Sequence, residues 1–160
     1  MVLMISSGAV LTAAVLLMGF SGFAAQVLLI RELMVVFLGN ELSIGIILAN
    51  WLILEAVGAR AAGRFFNARR NHITLFVLVQ LLFALSFILS MLAARSLRPI
   101  LGVQPGEGMG FAHMVFGSFL VLLPTSIFHG ALFSSASTAY SCMPGRSGAG
   151  GISRVYIWET

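Results

Sequence analysis

An all-α membrane protein is the fold class this sequence predicts. Three observations carry that prediction: 59% hydrophobic residues, a mean hydropathy of +1.04, and four apolar stretches long enough to cross a bilayer. Soluble domains use roughly half apolar residues and seldom repeat apolar runs of about 20, the length a hydrocarbon core demands. Charge is scarce at 9%, and it is uniform in kind. Every basic residue is Arg and every acidic residue is Glu, so Lys and Asp are absent. A net charge of +4 could point to nucleic acid, but the arginines cluster beside apolar runs, which is the pattern of membrane topology. The expected partner is the lipid bilayer, and nucleic acid is excluded.

The four expected helices are 9–38, 42–62, 73–94 and 111–140. The first resembles a secretory signal in position, yet no basic residue precedes it and its apolar pattern runs through Phe23-Ala24-Ala25-Gln26 without a cleavage site. It is retained. The second follows so closely on Gly39-Asn40-Glu41 that helices one and two should form an antiparallel pair. Gly45 with Ala49, and Ala59 with Gly63, stand four apart on the second helix, a spacing that lets neighbouring backbones approach. The third is uniformly apolar. The fourth contains Pro124, which removes an internal hydrogen bond and should kink it, with Thr125, Ser126 or water to serve the freed carbonyl. Residues 145–160, opening on the Gly-rich 145–151, read as a cytoplasmic connector.

Orientation follows from arginine counts. Arg60, Arg64, Arg69 and Arg70 mark the link between helices two and three, and Arg146 and Arg154 follow helix four. Only Arg95 and Arg98 fall in the opposite connections, so the positive-inside rule puts both ends of this chain in the cytoplasm of a cell whose inner membrane it spans.

Ionisable residues inside an apolar helix cost at least about 2.5 kcal/mol to insert and normally face the bundle interior with a partner. Arg31 and Glu32 lie in the run LLIRELMVV, with Arg31 roughly 13 Å below the turn at ~1.5 Å per residue. In an antiparallel pair, residues whose numbers sum to about 80 share a depth. Gln26, Arg31, Glu32, Asn50 and Glu55 are thereby expected to gather in one intramembrane polar cluster. Adjacent residues point about 100° apart, so Arg31 should reach Asn50, Glu55 or the headgroups, while Glu32 faces a third helix. Such a cluster either bolts helices together or lines a solute or proton path. His129, one turn beyond Ser126, could carry a proton or serve as a hydrogen-bonded structural residue. Neither His72 nor His113 has a second ligand at metal spacing, and the single Cys142 can form no disulfide within the chain and completes no zinc site. No metal, no cofactor and no catalytic residue is expected in this chain.

Residues 19–64, GFSGFAAQVLLIRELMVVFLGNELSIGIILANWLILEAVGARAAGR, resemble the amino-terminal membrane region of bacterial spermidine synthase-like integral membrane proteins. Gly130-Ala131-Leu132-Phe133 and Ser153-Arg-Val-Tyr-Ile-Trp-Glu-Thr160 share the likeness. The resemblance implies a multi-helix domain similar to half of a major-facilitator transporter, followed by further helices and a cytoplasmic polyamine aminopropyltransferase domain. That domain uses aspartates to hold amines, and this chain has none, so the chain is expected to be a fragment without activity of its own. It would anchor the missing catalytic domain and could supply it with substrate. The alternatives are a half-bundle of a secondary transporter for a small solute and a structural subunit of a membrane complex. Gly63-Arg-Phe-Phe-Asn67-Ala-Arg69-Arg70 resembles the facilitator loop between helices two and three, but lacks the Asp and the second Gly of that pattern.

Overall fold

The computed structural model describes residues 2–39, 41–66, 72–104 and 106–141. They form α1 (Val2–Phe37), α2 (Glu41–Phe66), α3 (His72–Ile100) and α4 (Phe111–Ser141), in the predicted order. Each contains a membrane-length span: Thr12–Phe37, Glu41–Arg64, Ile73–Ile100 and Phe111–Ala139. Large apolar side chains such as Phe20, Phe116 and Leu120 are about 70% exposed, a surface suited to lipid tails and unsuited to water. The chain is an all-α, multi-pass membrane bundle.

Helix ends depart from the sequence boundaries for identifiable reasons. α3 runs on past the expected end at 94 to Ile100, because Arg95 and Arg98 find partners at the bundle end. It closes with Gly102 in the left-handed region (φ 67°), where Gly102 N–H donates to Pro99 O and Val103 N–H to Arg98 O. α1 ends the same way, with Gly39 N–H donating to Met34 O and Leu38 N–H to Val35 O. These paired bonds satisfy the last carbonyls of each helix in the Schellman pattern. In α1, however, the left-handed position is held by Leu38 (φ 50°), whose side chain tolerates that conformation poorly.

The helices alternate in direction, so the α1–α2 turn and the α3–α4 loop share one end, and the α2–α3 link lies at the other. α2 and α4 run parallel and make the most extensive interface, and α3 lies antiparallel against α4. α1 leans chiefly on α3 and touches α2 and α4 lightly. This corrects the expected close pairing of α1 with α2. A short turn makes two helices antiparallel but leaves open which face each presents, and α2 turns its small residues to α4. Gly45 and Gly63 have nothing within 4 Å of where a Cβ would stand. The glycines that matter are Gly58, which lies against the Ile127 carbonyl, and Gly130, which lies against the Glu55 carbonyl. Ser134 Oγ adds a 2.7 Å hydrogen bond to Ala59 O along the same seam.

α4 stays helical through Pro124. Pro124 leaves Leu120 O without its helical donor, and beside it Ser90 Oγ of α3 donates to Val121 O at 2.7 Å and accepts from Thr125 Oγ1 at 2.7 Å. Thr125 therefore acts through Ser90, a correction to the expectation that it serves a carbonyl of its own helix directly. All three groups are buried. A hydroxyl chain of this kind ties α3 to α4 where proline weakens the internal ladder.

Candidate functional site

Glu55 lies 14 residues beyond Glu41, about 21 Å along α2 at ~1.5 Å per residue, and near the helix midpoint. Its carboxylate is the junction of two helices. Oε1 meets His129 Nδ1 of α4 at 2.7 Å, and Oε2 accepts from Trp51 Nε1 at 2.9 Å. Trp51 and Glu55 stand one turn apart on α2, so they share a face. The imidazole is held between aromatic rings, with Trp51 at 5.7 Å and Phe83 of α3 at 5.5 Å between centroids. Its side chain is 9% exposed, and Nε2 is buried without a hydrogen-bond partner. Gly22 of α1 sits directly against Nε2, where any Cβ would overlap the ring. Four helices thus meet at one histidine.

This junction forms part of the wall of a cleft of about 790 Å³ between α1, α2 and α4. α1 contributes Phe20, Phe23 and Gln26, α2 contributes Trp51 and Glu55, and α4 contributes His129 and Phe133. Gln26 and Glu55 thus line the same cleft. The cleft exists because α1 packs loosely on α2, leaving open the space that the expected pairing would have closed.

The structure does not bring the five predicted polar residues into one cluster. Asn50 is buried at the α2–α4 seam, where Nδ2 donates to Val115 O at 3.0 Å and Ser118 Oγ at 2.8 Å. Glu32 faces a third helix, as expected, and pairs with Arg95 Nε of α3 at 2.6 Å. Arg31 is exposed on the outer face of α1, away from Asn50 and Glu55, both of which have other partners. The cluster separates because the faces of α1 carrying Arg31 and Glu32 look toward lipid and α3, and neither looks at α2. Arg60 and Arg64 are exposed at the link end of α2. Arg69, Arg70, Cys142, Arg146, Arg154 and the connector 145–160 lie outside the described residues.

A second polar site closes the turn end. Arg98 of α3 donates to Val36 O at the end of α1 and to Gln104 O and Glu107 O of the α3–α4 loop. A cation over a helix carboxyl terminus is favourably placed against the macrodipole. Sequence reasoning puts Arg98 in a loop and assigns it no partner. The Glu55–His129 contact is likewise absent from that reading, although one signal points to it: Ser126, Gly130, Ser134 and Thr138 recur every four residues on α4 and mark a face for close helix approach.

No family model, curated protein or solved structure matches this chain. Its function has to be read from the cleft and from the pair in its wall.

Proposed function

We propose that the chain is the membrane-embedded part of a larger, spermidine synthase-like protein, anchoring a cytoplasmic aminopropyltransferase domain and offering it a small-solute site within the bilayer. The observation that supports a solute site is the setting of Glu55. Its side chain is 24% exposed in a cleft walled, apart from Gln26 and His129, by apolar and aromatic side chains, including Trp51, Phe20, Phe23 and Phe133. A pure anchor has no need of an ionisable group there, because such a group is costly at that depth. A carboxylate beside aromatic faces suits a small organic cation, attracted by both the charge and the ring quadrupoles.

Equilibrium dialysis of the protein in nanodiscs tests the site. Radiolabelled putrescine should bind, its uncharged diol isostere should not, and Glu55→Gln should lose the binding. Equal retention of amine and diol would refute a cation site. The anchor reading also predicts that the chain with putrescine and an aminopropyl donor makes no spermidine, and turnover above a protein-free blank would overturn it.

A half-bundle of a secondary transporter is the second reading, favoured by the depth of the Glu55–His129 pair, since ionisable pairs near the bilayer middle mark transport paths. Uptake of the labelled amine into proteoliposomes, beyond binding, would select it. For orientation we propose an inner-membrane protein with both chain ends cytoplasmic, supported by the arginine bias at the α2–α3 link. Reporter fusions after Asn71 and after Gln104 should appear inside and outside respectively.

A further inference from the structure

We propose that Glu55 and His129 form a proton-binding site inside the membrane, and that its occupancy sets how α1 seats on α4 at Gly22. The hydrogen-bond pattern assigns the resting state. Glu55 accepts at both oxygens, one from Trp51 and one facing Nδ1, so the arrangement that satisfies every donor places a proton on Nδ1 and leaves Nε2 bare. A bare Nε2 against the Gly22 backbone leaves an acceptor unused, whereas a protonated Nε2 there would strand a donor.

Gly22 covers Nε2 at rest, so a proton from water in the cleft reaches it when α1 momentarily lifts, and adds there because Nε2 carries the free lone pair of the ring. The pair then passes from one net negative charge to none, with the imidazolium bonded to the carboxylate through Nδ1. The new N–H has no acceptor while α1 occupies its place, since Nε2 faces the bare Cα of Gly22 and no hydrogen-bond partner stands within its reach. Water must enter between α1 and α4, which requires α1 to shift outward and widens the cleft. α1 is the element able to do so: it packs lightly on α2 and α4, and only the absence of a Cβ at Gly22 lets it close over the ring.

The electrostatic surroundings are simple. α2 contributes Glu55 and Trp51, α1 contributes Gly22 and Gln26, and α3 contributes Phe83. No other ionisable side chain among the described residues lines the cleft. Nothing among them competes for the proton or compensates the pair when the proton leaves.

The experiment uses the full chain in nanodiscs without solute, so its failure is separate from failure of the solute reading on which the first proposal rests. The variant His72→Gln, His113→Gln leaves His129 as the single histidine. Imidazole ¹⁵N spectra should show Nδ1 protonated and Nε2 bare at alkaline pH, and both protonated after acidification. In a Cys142→Ser background, spin labels at lipid-exposed Val27 and Leu120 report the α1–α4 distance. That distance should lengthen on the same acidification. Gly22→Ala should hold the longer distance at every pH, and His129→Gln should abolish the pH response. Nε2 remaining bare throughout would overturn the proposal, as would protonation without a distance change, or a pH response that survives His129→Gln. Should Gly22→Ala fail to fold, the single-histidine protein with its intact site still supports or overturns the proposal by its spectra and its distance change.

Discussion

The α2–α4 seam and the α1–α2 cleft both contain Gly, Ala and bulky apolar side chains, yet one is closed and the other open. At the seam, Gly58 and Gly130 present their bare backbones to the carbonyls of Ile127 and Glu55, and Ser134 and Asn50 each reach backbone on the opposite helix. At the cleft, Phe20 and Phe23 of α1 remain about 70% exposed, and elsewhere on α2 Gly45 and Gly63 face open space. Lipid tails are as apolar as side chains, so helices in a membrane associate by close packing and interhelical hydrogen bonds, and apolar character alone does not draw them together. A glycine four residues from an alanine promotes contact only when the opposing helix has a complementary surface. α4 has one in its Ser126, Gly130, Ser134 and Thr138 stripe, and α1 has none facing α2.

The largest effect should come from filling the seam. Gly130→Leu drives a side chain into the Glu55 backbone, where nothing flexible can yield, and the bundle should lose most of its thermal stability in detergent. Gly45→Leu, made at a superficially similar position, should leave the melting temperature unchanged. Equal effects at the two sites would show that the closed and open faces have been misassigned.

Next in size is Glu55→Ala, which strands both Trp51 Nε1 and His129 Nδ1. Each abandoned buried donor costs about 1–3 kcal/mol, whereas a single interhelical hydrogen bond lost in a membrane averages nearer ~0.6 kcal/mol, so the double loss should stand out. Arg31→Ala should be nearly silent, and the pair of substitutions should be additive in a double-mutant cycle. Coupling between Arg31 and Glu55 would restore the cluster that the structure separates.

A smaller effect of opposite sign is expected at the turn end. Leu38→Gly relieves a left-handed leucine and should stabilise the protein by about 1 kcal/mol, with no counterpart gain available at α3, where Gly102 already fills that position. The smallest change belongs to Glu32→Gln. Its partner Arg95 is 66% exposed, and pairs of that kind contribute about 0–1 kcal/mol, screened further by salt. Chemical denaturation at low and high salt measures both changes. The two carboxylates are about equally exposed and differ in weight because one meets a histidine that is 9% exposed and the other an arginine that is 66% exposed.

Much of this molecule is legible in its residues. Four spans, their order, the alternation of direction and the turn at Gly39 follow from apolar length and turn chemistry, which are local properties. That Glu32 looks to a third helix follows from the 100° step between neighbours. The partners of Asn50, Glu55 and Arg98 do not follow, and neither does the closeness of Gly22 to His129. Sequence sets how deep a residue lies along its helix, since rise per residue is fixed. It leaves the rotation of each helix about its axis and the choice of neighbour to packing across the whole bundle, because in lipid every apolar face is equally well solvated and only complementary close contact distinguishes them. The tertiary structure alone therefore decided that α2 turns from α1 to α4, and with that turn it opened the cleft and set Glu55 against His129.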